Sequence, residues 1–153
     1  MDNTKVQPIP EEEKTLERQL CFAVYATAHA FNRAYKPLLD RVGLTYPQYL
    51  VMLVLWEKGC MPVKTIGEQL DLDSGTLSPL LKRLEQAGLI DRARDPKDER
   101  QVIVSLTEKG AGMKVQVDTI MGAIGEATGC DLDEIASLRE RLQRLRANLT
   151  SGE

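Results

Sequence analysis

The chain has 153 residues, 42% of them hydrophobic and 28% charged, with a formal net charge of −3. That length is one domain's worth of chain, long enough for a real core, and the composition is that of an ordinary globular protein rather than a disordered or fibrous one. No apolar run approaches membrane-spanning length, and the acidic balance argues against an indiscriminate binder of polyanions.

The first fourteen residues, MDNTKVQPIPEEEK, lack an apolar signal core and turn acidic, so 1–14 reads as a flexible arm and the expected compartment is cytoplasmic, with no membrane partner. Leu16, Leu20, Val24, Ala28, Phe31, Tyr35, Leu38 and Val42 then recur every three or four positions, which predicts one long amphipathic helix. Thr45 and Gln48 have capping-box spacing with Pro47 in the first turn, so a second helix is expected over Tyr46–Lys58. It is apolar nearly all round and therefore buried.

A short helix follows over Val63–Leu70, then a break at Asp71-Leu72-Asp73 and a helix over Ser74–Ala87. Ser74 is the expected cap. Leu77, Leu80, Leu81 and Leu84 form its inward stripe, and Gly88 suits the left-handed position past the last turn. Pro79 removes one helix donor and is expected to bend the start slightly. Two β-branched runs, Leu89–Arg94 and Gln101–Ser105, flank the charged turn 95–100, where Asp95-Pro96 is turn chemistry. Two more helices, Glu108–Ala127 and Asp131–Leu149, are separated by Thr128-Gly129-Cys130.

Helix, turn, helix, strand, charged loop, strand is the chain order of a winged helix-turn-helix. The expected fold is mainly α with a small β wing. A single domain (15–153) holds a DNA-binding part (45–106) and a helical dimerisation part (15–44 and 107–149). The apolar stripes of the terminal helices have little to cover within one winged unit, whereas a second copy would complete them as a two-fold homodimer.

Charge within the winged segment is balanced: residues 62–105 hold seven Lys/Arg against eight Asp/Glu. What matters is the face on which they lie. With the leucines inward, Gly75, Thr76, Ser78, Lys82 and Arg83 are the candidates for base contact. Arg94, Lys97 and Arg100 are the candidates at the wing, and Asp98 is expected to pair with Arg100 and shape the turn. Taken singly, about half of such charges are no more than solvated surface. Binding to double-stranded DNA is then expected to be specific and strongly salt-dependent.

The stretch DSGTLSPLLKRLEQAGLIDRARDPKDERQVIVSLTEKG closely resembles the MarR family of winged-helix transcription regulators. The Asp98, Arg100, Val102–Val104 and Leu106-Thr107 pattern is characteristic of that family's wing. The resemblance extends in element order over roughly 16–149, and it implies a non-enzymatic, cofactor-free homodimer on a palindromic operator. The context QLCFAVYATAHAFNRAYKPLLDRVGLTYPQYL is similar to the organic-hydroperoxide-sensing branch, the OhrR-type repressors. In that branch a cysteine near the start of the first helix reacts with peroxide and tyrosine hydroxyls hydrogen-bond its thiolate. Cys21, Tyr35 and Tyr46 match those positions, and Tyr25 also fits. Cys130 matches the resolving cysteine of the two-cysteine subgroup, in which the disulfide forms between subunits.

Fourteen residues of continuous helix between Cys21 and Tyr35 span roughly 21 Å at about 1.5 Å each, beyond the reach of a tyrosine. If both belong to one site, Tyr35 and Tyr46 come from the partner subunit. Only a thiolate attacks a peroxide oxygen, and neutral O–H donors favour the anion. Phe22, Val24 and Phe31 could admit an alkyl hydroperoxide. Against this stand a buried inert role for Cys21, and packing roles for each tyrosine taken alone. Cys60 reads as an incidental thiol. His29, the only histidine, reads as surface or packing, which leaves no zinc-like cluster. The rival functions are a MarR-type repressor controlled by a small phenolic ligand, and a thiol peroxidase, for which no active-site motif surrounds Cys21.

Overall fold

A computed structural model describes residues 7–152; residues 1–6 of the expected N-terminal arm lie outside that range. Residues 11–14 and 16–18 form short 3₁₀ turns separated by extended Thr15. Gln19 then ties the turns together, its side-chain amide donating to the carbonyls of Glu13 (2.8 Å) and Thr15 (3.2 Å). The first helix, α1, therefore spans Leu20–Asp40 and does not start near Leu16. Its far end closes by Leu44 N–H donating to the Leu39 carbonyl (3.2 Å), so Val42 lies in the closing turn instead of the helix.

Helix α2 spans Tyr46–Lys58, with both halves of the expected capping box in place. Thr45 N–H donates to Gln48 Oε1 (2.9 Å) and Gln48 N–H donates to Thr45 Oγ1 (3.4 Å). A two-residue strand β1 (Met61–Pro62) precedes α3 (Val63–Leu70) and α4 (Ser74–Gln86). Strands β2 (Ile90–Asp95) and β3 (Asp98–Leu106) complete an antiparallel sheet of order β1-β3-β2, in which Val104 faces Met61 on one side and Arg92 on the other. The strands run closer together than the sequence suggested: the tip is only Pro96-Lys97, and the residues from Asp98 onward belong to β3.

The expected helix over 108–127 is two helices, α5 (Glu108–Gly112) and α6 (Lys114–Ala127). The break has a local cause. Thr107 Oγ1 accepts from Gly110 N–H (3.1 Å) while its hydroxyl donates to the Gly88 carbonyl (2.6 Å), and Trp56 Nε1–H donates to the Gly110 carbonyl (2.9 Å). These bonds press Gly110 against the chain entering β2, where a Cβ would lie 2.0 Å from the Leu89 carbonyl oxygen. Helix α7 (Leu132–Thr150) starts from a second capping box, Asp131 with Glu134.

The core gathers Leu39 and Leu44 with the buried faces of α2, α3 and α4, the strands, and Val117 and Ile120 of α6. The large hydrophobic side chains left exposed lie elsewhere. They are Ile9, Leu16, five residues of α1, Val115 and Met121 of α6, and Leu132, Leu138, Leu142 and Leu149 of α7. None falls between residues 32 and 114, and α7 buries no residue at all. The winged half is thus a finished globular unit, and the terminal helices are not.

Candidate DNA-recognition surface and thiol site

Helix α4 is capped by Asp73, not by Ser74: Asp73 Oδ1 accepts from Thr76 N–H at 2.7 Å. Both residues are good caps, and the one whose side chain reaches back over the first turn takes the role. That bond holds the Asp73 carboxyl below the usual carboxylate range. Leu77, Leu81 and Leu84 are buried and Leu80 half-buried, while Gly75, Thr76, Ser78, Lys82 and Arg83 all lie on the exposed side. Pro79 is accommodated inside a continuous helix.

The wing stands in fixed relation to α4. Arg92 on β2 donates two bonds to the carboxylate of Glu85 in the last turn of α4, Nη2–Oε1 at 3.1 Å and Nε–Oε2 at 3.4 Å. The guanidinium holds the Glu85 carboxyl below its ordinary range. At the tip, Lys97 N–H donates to Asp95 Oδ1 (2.9 Å), and Arg94 Nη1 donates to the Glu99 carbonyl (2.8 Å). Asp98 shapes the hairpin, but through the backbone: its Oδ1 accepts from Arg100 N–H (3.1 Å). Among the described residues Asp98 and Arg100 form no side-chain ion pair, so the expected pairing is corrected and the Arg100 guanidinium is left unengaged by Asp98. Lys97 and Arg100 are exposed at the end of the wing. Sequence reasoning overlooked the Glu85–Arg92 clamp; the signal lay in an acid and an arginine seven residues apart across Gly88.

Cys21 is exposed in the first turn of α1. Tyr25, one turn on, packs edge-on against His29, ring centroids 4.4 Å apart. Tyr35, near the other end of this unbroken helix, meets Tyr46 at 4.9 Å and Tyr49 at 5.5 Å between centroids. The fold therefore brings Tyr35 and Tyr46 together and leaves Cys21 roughly 21 Å away along α1. Burial, with Tyr46 adding, pushes Tyr35 above the ordinary phenol range, against a lowering bond from Tyr49. Burial does the same to Tyr46 and, more strongly, to Tyr49. All three hydroxyls thus stay protonated donors at neutral pH. Tyr49 was not anticipated, although its place one turn after Tyr46 in TYPQY puts the two on one helix face.

Cys130 is half-buried at the turn between α6 and α7, with Gly129 at φ +67 beside it. Its thiol donates to the Thr128 carbonyl (3.5 Å) and its N–H to Thr128 Oγ1 (3.2 Å). Cys60 is exposed beside β1.

A capped helix with its leucines inward and Thr76, Ser78, Lys82 and Arg83 outward, beside a clamped hairpin that carries Arg94, Lys97 and Arg100, is the recognition apparatus of a winged-helix DNA-binding transcription regulator. Comparison with known proteins gives the family. The profile described as "Transcriptional regulator SarA/Rot" matches residues 33–117. The chain is 55% identical to the HTH-type transcriptional regulator TtmR of Methylorubrum extorquens, over 91% of this chain and 71% of that one. It is 52% identical to the organic hydroperoxide resistance transcriptional regulator of Bacillus subtilis, over 80% and 85% of the two chains. Among solved structures, AbfR of Staphylococcus epidermidis in its reduced, DNA-bound form superposes with a TM-score of 0.74 at 38% identity, covering 90% of this chain and 96% of that one. The disulfide form of AbfR gives 0.63 at 39% identity over 88% and 94%. The chain belongs to the MarR family of winged-helix transcription regulators.

Proposed function

We propose that the protein is a homodimeric repressor that leaves its operator when Cys21 is oxidised by an organic hydroperoxide. The observation that carries this is the separation along α1: one copy holds an exposed first-turn thiol at one end and a protonated Tyr35–Tyr46 pair at the other. Two copies with crossing first helices complete the site twice over. The exposed leucines of α7 supply the drive, each worth about 1.5–3 kcal/mol when fully covered. The relation to the Bacillus hydroperoxide regulator supports the choice of oxidant.

In this reading the Cys21 thiolate, held by O–H bonds from Tyr35 and Tyr46 of the other copy, attacks the outer oxygen of a hydroperoxide. The O–O bond breaks, the sulfur becomes a sulfenic acid, and the departing alkoxide takes a proton to leave as an alcohol. The Cys130 thiolate of the other copy then attacks that sulfur, and the hydroxyl leaves as water once protonated. A disulfide needs Cα atoms within about 7 Å, so the helical junction has to move. The likeness to DNA-bound AbfR, equal for its reduced and overoxidised forms (TM-score 0.74), exceeds that to disulfide AbfR (0.63), which supports reading the present arrangement as the DNA-holding one and the disulfide as the step that ends it. On DNA, Gly75, Thr76, Ser78, Lys82 and Arg83 face the major groove. Arg94, Lys97 and Arg100 meet the backbone or minor groove, with Asp98 shaping the wing.

The test is fluorescence anisotropy on a duplex from the protein's own upstream promoter, before and after one equivalent of cumene hydroperoxide. Wild type is expected to release DNA and rebind after thiol reduction. Cys21→Ser is expected to bind but ignore the oxidant, and Cys130→Ser to form no intersubunit bridge. Tight binding by wild type that peroxide leaves unchanged defeats the proposal. The open cleft lined by Asp40, Arg41, Leu89, Lys109, Met113 and Gln116, part polar and part apolar, carries the second reading, a repressor controlled by a small phenolic ligand. Ligand-dependent release by Cys21→Ser would favour it.

A further inference from the structure

Helix α7 is attached at its two ends. Its start follows the Thr128-Gly129-Cys130 turn. Near its far end Arg146 Nη2 lies 3.4 Å from Asp71 Oδ2, and between these points no residue is fully buried, Ile135, Ala136 and Leu145 being half-buried. Asp71 is an unusual place for that contact. It ends α3 in a left-handed conformation (φ +55), the one non-glycine residue with positive φ among the described residues. Two residues later Asp73 caps α4, so the turn at Asp71 sets the direction in which the recognition helix leaves α3.

We propose that the Arg146–Asp71 pair is a latch through which the position of α7 is read by the recognition helix. The proposal rests on the thiol reading only for what moves α7, since Cys130 stands next to its cap. From Leu132 to Arg146 the helix is a lever of roughly 21 Å, and a tilt of about 10° at Gly129 carries its far end about 4 Å. The pair is already longer than the ~2.7–2.9 Å of a compact charge-assisted bond, so such a displacement opens it. Asp71 then stands unneutralised beside the end of α4 that enters the groove, where its charge opposes the phosphates. Both side chains are well exposed (65% and 75%), so the latch tunes affinity and does not hold the fold together.

The test is a double-mutant cycle in the full chain, with Arg146→Gln, Asp71→Asn and both together. Asparagine accepts the left-handed conformation, so the turn is kept while the charge is removed. Promoter-duplex affinity is measured on the reduced proteins and again after cumene hydroperoxide. With Asp71 present, Arg146→Gln is expected to weaken reduced binding about two- to five-fold, and to shrink the reduced-to-oxidised affinity ratio by the same factor. With Asp71→Asn already in place it is expected to do neither. Equal weakening in both backgrounds, the mark of a simple loss of positive charge, overturns the latch. Wild type that keeps its DNA after forming the disulfide overturns the thiol reading instead, and the cycle on reduced protein still decides the latch.

Discussion

Replacing Gly110 by alanine tests the junction between the winged half and α6. The added Cβ would stand 2.0 Å from the Leu89 carbonyl oxygen, where ordinary contact begins at 3.4 Å, and the obstacle is backbone. Helix α5 has to back away from β2. That strains or breaks the Trp56–Gly110 bond, worth about 0.5–1.5 kcal/mol, and the Thr107 cap, worth about 0.5–2 kcal/mol. Overpacking adds about 1–3 kcal/mol, and the better helix propensity of alanine returns about 1 kcal/mol. The net loss centres on about 3 kcal/mol, which at roughly 2–4 °C per kcal/mol for a chain of this size lowers Tm by roughly 6–12 °C. At Gly112, two residues on in the same helix, an added methyl group would have nothing within 4 Å. Gly112→Ala is therefore expected to leave Tm unchanged or raise it by up to roughly 4 °C. Thermal unfolding by circular dichroism at one fixed protein concentration, reduced, reads both. A Gly110→Ala Tm within about 2 °C of wild type, on the order of measurement error for so large a predicted shift, would refute the packing argument.

Two further outcomes follow from the recognition surface. Because the Asp73 carboxyl is held below its unfolded range, its contribution to stability is present above about pH 4 and is lost as pH falls through the lowered folded value. Asp73→Asn keeps an acceptor for Thr76 N–H but nothing that titrates. Its acid unfolding curve should be flatter than wild type's at the low end, with an unchanged curve counting against the cap. Arg92→Gln frees the wing from α4 and is expected to weaken promoter binding about two- to five-fold with little change in the slope of affinity against salt, since Arg92 is spent on Glu85. A slope reduced by one phosphate contact would show instead that Arg92 binds DNA directly.

Much of the winged half was legible because its signals are local. The Thr45/Gln48 spacing, the leucine stripe of α4, Gly88 and the Asp95-Pro96 turn each fix a few residues, and each is found in place. The errors came where two local readings compete or where a tertiary contact decides. Leu16 falls on the periodicity of α1 but stands in a 3₁₀ turn stitched by Gln19. Ser74 and Asp73 are equally good caps in sequence, and only the reach to Thr76 separates them. The break between α5 and α6 is imposed by Leu89 and Trp56, distant in the chain, and β1 is too short to show any period. At the thiol site the spacing of Cys21 and Tyr35 along one helix already meant that a site holding both would need a second copy. What sequence did not show was Tyr49 closing the ring cluster, or Cys130 resting against Thr128.

The length of α1 between its thiol and its tyrosines has a genetic corollary. In a dimer whose sites are shared, a chain lacking Cys21 and a chain lacking the Tyr35 hydroxyl are each defective alone. Paired with each other, they place both lesions in one site and leave the other site whole. Two inactive alleles of this gene would then complement one another in the same cell, and the restored response would come from a single sensing site per dimer.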